Sequence, residues 1–285
     1  MKNNSKKIYC TINSIVLISI IAYLISYKKT IFVLNFKYMI IAIIPFILIH
    51  FFRIIRQYII LMEEKIKMRQ LIKSYLLSSI TNSILPFRIG ELYKIYLYGY
   101  EIKNYKKSTV AVIIDKFFDC VVLLIAFIII EMVTKEQLST ITIILFIFVV
   151  LIAIIYIAFE STYAFLNKYL IINKNSEFAI KCLKFLEETK EIYALIKNMI
   201  SKREILIIIF TLLSWVCEII FVFVIFKFIN IGDLKLNGFI SYINNSFLGV
   251  QNILSNYYIN TTVFVIVLFT IIVCINKVIK KIRRE

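Results

Sequence analysis

Long apolar segments alternate with short polar or charged connections along most of the chain. Most of these segments approach the roughly 20 residues that a helix needs to cross the hydrocarbon core of a bilayer. The pattern therefore predicts an all-α, polytopic integral membrane protein and argues against a soluble domain. Seven segments follow it: Ile8–Tyr27, Tyr38–Phe52, Tyr75–Leu97, Thr109–Ile130, Ser139–Phe159, Ile205–Ile229 and Tyr258–Ile275.

The basic residues between these segments predict the topology. Lys and Arg accumulate on the cytoplasmic side of membrane proteins, and here both flanks of Tyr75–Leu97 are basic. One simple span would place one of those flanks outside, whereas a re-entrant hairpin returns both to the cytoplasm. Thr81, Asn82, Ser83 and Pro86 provide a break for it, because proline removes an amide donor from a helix. We expect six transmembrane helices plus this re-entrant broken helix, with both termini cytoplasmic; a plain kinked spanning helix is the alternative.

The stretch 161–203 differs from the rest because it mixes many Lys and Glu residues with an apolar stripe. This pattern predicts one or two cytoplasmic amphipathic helices that lie at the membrane interface. No internal repeat is evident. The economical interpretation is a single membrane domain over residues 1–285.

Composition narrows the class further. The chain is 61% hydrophobic with Gly 5 and Pro 2, and its formal net charge is +17. The cations lie between apolar segments, where topology and anionic lipid surfaces account for them, so we expect no nucleic-acid partner. The five cysteines form no C-x-x-C pair, and His50 is the only histidine. We therefore predict no disulfide, no metal site and no cofactor.

Arg88, Glu91 and Lys94 stand out because they are charges inside an apolar segment. At steps of three, they line one side of a helix. Each would cost roughly 2.5–3.5 kcal/mol if it faced lipid near the bilayer centre. They are the first candidates for a functional site.

A second charged group, Asp115, Lys116 and Asp119, lies in the segment Thr109–Ile130. The two aspartates are four residues apart and share a helix face. Counted from Lys107, Asp119 lies about 18 Å along the helix axis, near mid-membrane. A carboxylate there needs a cation, and the sequence offers Arg88, Lys94 and Lys116. We expect one cross-helix network of these six residues around a hydrated cavity, or, alternatively, a network that only locks helices together.

Three further charged residues lie in apolar surroundings. Glu218 is either a site residue or a helix-packing contact. Arg53 and Arg56, near the predicted cytoplasmic end of the second span, are expected to snorkel to phosphates. Contact with an anionic headgroup is the alternative for these two arginines.

Two of these regions match a family pattern. Asn82-x-x-Leu-Pro-x-Arg88-x-Gly90-Glu91-x-x-Lys94, followed by Ser108-x-x-Ala111, Asp115-Lys116 and Asp119, resembles the lysylphosphatidylglycerol synthase transmembrane-region family, also called flippase-like domain proteins. Arg56 is similar to a family arginine after the second span. The resemblance covers roughly residues 1 to 230 and is specific over 82–119.

The chain departs from that family pattern in three places. Lys94 stands where the family has Arg, and Asp115-Lys116 stands for Glu-Arg, which keeps the charges but loses the guanidinium fork. The family's later Pro-Gly-x-x-Gly-x-x-Glu segment has its nearest counterpart at Asn244–Gly249, which lacks the Pro and the Glu.

The resemblance implies a flippase-like membrane protein that moves a phospholipid or a lipid-linked headgroup across the plasma membrane of a bacterial-type cell. It implies no lipid aminoacylation, and we expect no enzyme activity. In this interpretation Arg88 and Lys94 hold an anionic or phosphate-bearing headgroup. Glu91, Asp115 and Asp119 balance these charges or, alternatively, hold a cationic headgroup or a proton. Lys116 and Arg56 complete the substrate site.

Two other functions remain open from the sequence. The first is a non-transporting partner or scaffold of an enzyme that modifies lipids or cell-surface glycans, with 161–203 as its docking surface. The second is an intramembrane enzyme that acts on polyprenyl-phosphate sugars. Membrane lipids are the expected ligands, and a homo-oligomer or a lipid-modifying enzyme is a possible partner.

Overall fold

The computed structural model describes residues 2–26, 36–64, 66–85, 88–134, 137–172, 177–229 and 259–266. These residues are helical almost throughout and contain no strand, which confirms the predicted all-α class. The helices are α1 (Lys2–Ser26), α2 (Phe36–Ile60), α3 (Met68–Ile84), α4 (Ile89–Ile102), α5 (Tyr105–Thr134), α6 (Thr140–Ile172), α7 (Glu177–Ile200) and α8 (Glu204–Ile229), and residues 259–266 are also helical.

Four helical stretches in the described ranges are long and apolar enough to cross a membrane, by length and composition. Many of their large apolar side chains are exposed, as expected for helices that face lipid. The protein is therefore a helical membrane protein. The number of spans and the side of the termini stay predictions. The four stretches are Lys7–Ile25, Ile40–Ile60, Thr140–Ile172 and Glu204–Ile225.

Two helices are longer than their apolar segments predicted. Helix α2 continues beyond Phe52 to Ile60, and α6 continues beyond Phe159 to Ile172. The predicted amphipathic segment 161–203 is thus wrong at its start, since 161–172 prolongs α6 and only α7 is a separate helix. The reason is that polar residues after Phe159 lower the hydropathy, but no Gly or Pro there ends the helix.

The described chain forms two compact units. Unit 1 comprises Met1–Phe51, Ile72–Lys94 and Val216–Glu285, and unit 2 comprises Phe52–Leu71 and Ile95–Trp215. The interpretation of residues 1–285 as a single membrane domain stays a prediction.

Unit 2 has its core where the end of α2 meets α5 and α8. Ile60, Tyr98, Ala111 and Ile207 are fully or almost fully buried there. Fully burying one such apolar side chain stabilises a fold by about 1.5–3 kcal/mol when water is the alternative. Helices α5, α6 and α7 pack on one another beside this core.

Helix α7 is fixed to α6 by aromatic and ionic contacts. The rings of Phe159 and Tyr193 stack with their centroids 4.4 Å apart. Lys197 Nζ donates a hydrogen bond of 2.8 Å to Glu160 Oε1, and this bond raises the pKa of Lys197. The position of α7 at a membrane interface stays a prediction.

A buried acid joins the end of α5 to the start of α6. Glu131 Oε1 accepts hydrogen bonds from the Ser139 backbone N–H (3.1 Å) and from the Thr142 hydroxyl (2.7 Å). Ser139 Oγ in turn accepts from the Thr142 N–H at 3.3 Å, which makes Ser139 the N-cap of α6. The carboxylate therefore fixes the turn between these two helices.

In unit 1, the predicted break between Tyr75 and Leu97 is present, but it lies later than expected. Thr81 and Ser83 are still helical, and their hydroxyls donate to the carbonyls four residues earlier, at Leu77 and Ser79. Helix α3 ends at Ile84 and α4 begins at Ile89. The predicted helix breaker Pro86 lies outside the described residues.

A close helix contact shows that α4 folds back on α3. A Cβ atom added at Gly90 would overlap Asn82 and come within 2.5 Å of the Ser78 carbonyl oxygen. Residues 78 and 90 of one continuous helix would be about 18 Å apart, so the chain turns back between them. The hairpin is thus confirmed, and its re-entry into the membrane stays a prediction.

Candidate functional site

The most buried ion cluster in the described part of the chain centres on Arg56 of α2, in unit 2. Its Nη1 donates to Asp119 Oδ1 of α5 at 2.7 Å and to Thr211 Oγ1 of α8 at 3.1 Å. Its Nη2 forms an ion pair with Asp115 Oδ1. One guanidinium group therefore joins three helices.

Neighbouring side chains complete the shell of Asp119. Trp215 Nε1 donates to Asp119 Oδ1 at 3.2 Å, and Lys116 Nζ lies 3.5 Å from Asp119 Oδ2. The guanidinium carbon of Arg53 lies 5.7 Å from the centroid of the Trp215 ring, a cation–π geometry. The indole therefore binds an anion through its edge and a cation through its face.

The centre of this cluster is closed to solvent. The side chains of Arg56 and Asp115 are each 2% exposed, whereas that of Lys116 is 37% exposed. Arg56 and Lys116 pair with the two aspartates, and Arg53 adds a third positive charge nearby. Removal of one partner of such a buried pair typically costs about 3–5 kcal/mol, because a charge is left uncompensated.

The expectation that Arg56 snorkels to phosphates is wrong. Helix α2 carries this residue into the interior, where it is 1% exposed, because two carboxylates of α5 compensate its charge. Of the cations that the sequence offered to Asp119, Lys116 does contact it, but the shorter contact, of 2.7 Å, comes from Arg56, which was not expected as a partner.

Unit 1 holds the other three predicted site residues. Arg88 precedes α4 with a left-handed backbone (φ 53°), and its carbonyl accepts from the Glu91 N–H at 2.9 Å. Arg88 and Glu91 are half-buried, whereas Lys94, one turn further, is buried. Its Nζ lies 5.6 Å from the centroid of the Tyr75 ring of α3. The acid in the first turn of α4 also complements the helix dipole.

A polar group around His50 adjoins Lys94 and was missed by the sequence analysis. His50 Nδ1 lies 3.1 Å from Tyr75 Oη and 3.4 Å from Ser79 Oγ. Tyr75 thus contacts the histidine through its hydroxyl and the lysine through its ring face. The available signal was the run of hydroxyl side chains in α3, which recurs at helical spacing from Tyr75 through Ser78 and Ser79.

The six-residue network that the sequence suggested stays a prediction. The structure brings Asp115, Lys116 and Asp119 together with Arg56 in unit 2. Arg88, Glu91 and Lys94 belong to unit 1. Glu218, in α8 of unit 1, is buried.

Other predicted features lie partly beyond the described ranges. The segment Asn244–Gly249 and Cys274 are outside them. Within the described ranges, no three His, Cys, Asp or Glu side chains meet as a metal site would require. The cysteines at 10, 120, 182 and 217 are not joined to one another by disulfides.

Comparison with known proteins gives one match. The sequence model of the family described as lysylphosphatidylglycerol synthase TM region matches residues 12–233. This range contains the Arg56 cluster and the α3–α4 hairpin. No curated protein and no solved structure gives a significant match.

Proposed function

This chain belongs to the lysylphosphatidylglycerol synthase transmembrane-region family, and we propose that it moves a phospholipid or a lipid-linked headgroup across the cell membrane as a multi-pass, flippase-like protein. Under this proposal its ligands are membrane lipids with an anionic or phosphate-bearing headgroup. The chain acts without enzyme chemistry or cofactor.

The observation that carries the proposal is the buried lysine of the α3–α4 hairpin. Lys94 is 5% exposed and lies over Tyr75, inside unit 1 of a protein whose helices are otherwise strongly apolar. A cation near the membrane interior is costly and marks a substrate or ion pathway by default. An apolar side chain would pack at this position without that cost, so packing alone does not explain a lysine there.

The two charged groups have different roles in this proposal. Arg88 and Lys94 hold the headgroup phosphate, and Glu91 balances their charge. Arg56 is already paired with Asp115 and Asp119, so a headgroup reaches them only if that cluster opens. Lys116 is the exposed member through which such contact would begin.

A reconstitution experiment tests the proposal. The purified protein is placed in liposomes with a fluorescent phospholipid whose headgroup label is destroyed by dithionite added outside. Flipping exposes label from the inner leaflet, so the native protein should lower the protected fraction. The double variant Arg88→Ala/Glu91→Ala should not. The matched control, Lys197→Ala/Glu160→Ala, removes one exposed ion pair and should flip like the native protein.

Flipping that survives in the double variant would remove the proposed site. No flipping by the native protein, across anionic and zwitterionic lipids, would contradict the function itself.

The second candidate is a non-transporting partner of a lipid- or glycan-modifying enzyme. The closed Arg56 cluster favours it, because fully paired charges with almost no exposure are suited to holding helices together. Co-purification of the native protein with such an enzyme, combined with no flipping, would support this candidate.

A further inference from the structure

We propose that His50 is a proton-binding site that controls the charge beside Lys94, so that binding of the anionic headgroup is coupled to proton uptake. This inference rests on the proposed function and deepens it. It starts from the contacts of the single histidine in unit 1.

His50 lies within the candidate span Ile40–Ile60 and is half-buried. Histidine is the side chain whose charge ordinarily changes between about pH 5 and pH 8. An ionisable residue inside a membrane segment is expensive and is commonly part of a proton or substrate pathway. The position of His50 in α2 therefore calls for a reason other than packing.

The partners of His50 can accommodate both charge states of the ring. Tyr75 Oη and Ser79 Oγ lie 3.1 Å and 3.4 Å from Nδ1. A hydroxyl group both donates and accepts hydrogen bonds. These hydroxyls can donate to a bare Nδ1 and can rotate to accept from a protonated one. A backbone carbonyl in their place would have favoured only the protonated nitrogen.

Tyr75 connects the histidine to the proposed headgroup site. Its hydroxyl contacts His50, and its ring lies 5.6 Å from Lys94 Nζ. The His50 and Tyr75 rings meet edge to face, with their centroids 5.9 Å apart. A charge gained by His50 therefore arises next to the ring that holds the lysine.

Other charged residues lie on the helices that provide these contacts. Glu91 and Lys94 come from α4, and Arg53 lies three residues further along α2. On α8, the buried Glu218 lies one turn before Phe221, whose ring is 5.9 Å from that of Phe46. Phe46 also contacts the His50 ring in an edge-to-face arrangement, with ring centroids 4.6 Å apart.

The consequence is electrostatic. Protonated His50 adds a positive charge near Lys94, which favours a phosphate-bearing headgroup. When His50 is neutral, Arg88 and Lys94 attract the headgroup without this additional charge. We expect flipping of an anionic lipid to be about fivefold or more faster on the acid side of the His50 titration, a typical size for coupling between two sites.

Because the chain has one histidine, its titration can be read directly. Protein labelled with ¹³C and ¹⁵N in histidine, in nanodiscs of zwitterionic lipid, should give one set of imidazole NMR signals between about pH 5 and pH 8. The variant Lys94→Gln removes a nearby cation, so the midpoint of the titration should move to higher pH. Glu218→Gln removes an anion and should move it to lower pH. The variant Lys197→Gln alters an exposed lysine of unit 2 and should leave it unchanged.

A His50 signal that does not change across this pH range would overturn the inference. A titration midpoint that is the same in Lys94→Gln as in the native protein would also overturn it, because the charge of Lys94 would then not affect His50. Neither result depends on flipping.

The second measurement is flipping of anionic and zwitterionic lipids at a series of pH values. The native protein should flip the anionic lipid faster at low pH, whereas His50→Gln should give a flat profile. A pH response that persists in His50→Gln would overturn the inference. If the native protein flips no lipid while the NMR titration behaves as expected, the proposed function fails and the proton site stands.

Discussion

Arg56 and Asp119 are joined across α2 and α5 by a hydrogen bond of 2.7 Å in the interior of unit 2. These residues are 63 positions apart in sequence, so the contact holds together two helices that are distant along the chain. The same guanidinium also pairs with Asp115. This relationship gives the first prediction.

Arg56→Met should destabilise the protein by about 3–5 kcal/mol, because it leaves two carboxylates without their buried cation. The measurement is denaturant unfolding in detergent, followed by the fluorescence of Trp215, the only tryptophan. The matched control is Arg203→Met. Its partner Glu63 is 56% exposed, so that pair should contribute about 1 kcal/mol or less.

The triple variant Arg56→Met/Asp115→Asn/Asp119→Asn should regain much of the stability lost in Arg56→Met, since no buried charge is then left unpaired. If Arg56→Met and Arg203→Met lost the same free energy of unfolding, the buried cluster would stabilise the fold no more than an exposed ion pair does.

Gly90→Ala should disrupt the α3–α4 hairpin. The new methyl group would overlap Asn82 and the Ser78 carbonyl, and inserting a methyl group into such a contact costs about 1–3 kcal/mol. The unfolding midpoint of Gly90→Ala, compared with that of the native protein, decides the point; a harmless Gly90→Ala would refute the close approach.

Arg88 allows charge and backbone effects to be separated. Its left-handed conformation (φ 53°) suits glycine, so Arg88→Gly should fold at least as well as Arg88→Ala. Both variants lack the cation and should lose flipping of an anionic lipid to the same extent. The measurements are unfolding stability and the liposome assay on each variant. Full flipping by Arg88→Gly would mean that the arginine side chain does not bind the headgroup.

Glu131→Ala should destabilise the connection between α5 and α6 by about 1–3 kcal/mol, because it removes the acceptor for the Ser139 N–H and the Thr142 hydroxyl. A double-mutant cycle with Thr142→Val measures the direct part of this effect. We expect a coupling energy of at least about 0.5 kcal/mol. Additive losses would indicate that the 2.7 Å contact with Thr142 contributes nothing.

The sequence predicted features that depend on local pattern. The length of the apolar segments and the rarity of Gly and Pro indicated membrane helices. The basic residues on both sides of Tyr75–Leu97, together with the polar residues near Asn82, indicated the hairpin. Spacing placed Asp115 and Asp119 on one helix face, and both carboxylates do meet the same guanidinium. Each of these features depends only on residues close together in the sequence, so the local sequence is enough to predict it.

The sequence could not reveal which helices pack together. Arg56 looked like a residue near a helix end because the apolar run stops at Phe52, and only the fold shows that α5 supplies its partners. His50 looked isolated for the same reason, since Tyr75 and Ser79 lie on another helix. The ends of α2 and α6 were missed because hydropathy falls before the helix stops.

The length of α6 has a mechanical consequence. Its 33 residues span about 50 Å, whereas a hydrocarbon core is about 30 Å thick. Even with an ordinary tilt of about 20°, part of this rod stands clear of the lipid. The stacked rings of Phe159 and Tyr193 attach α7 to this helix. A tilt of the membrane-embedded part of α6 would therefore displace its end outside the lipid, where a water-soluble protein could bind.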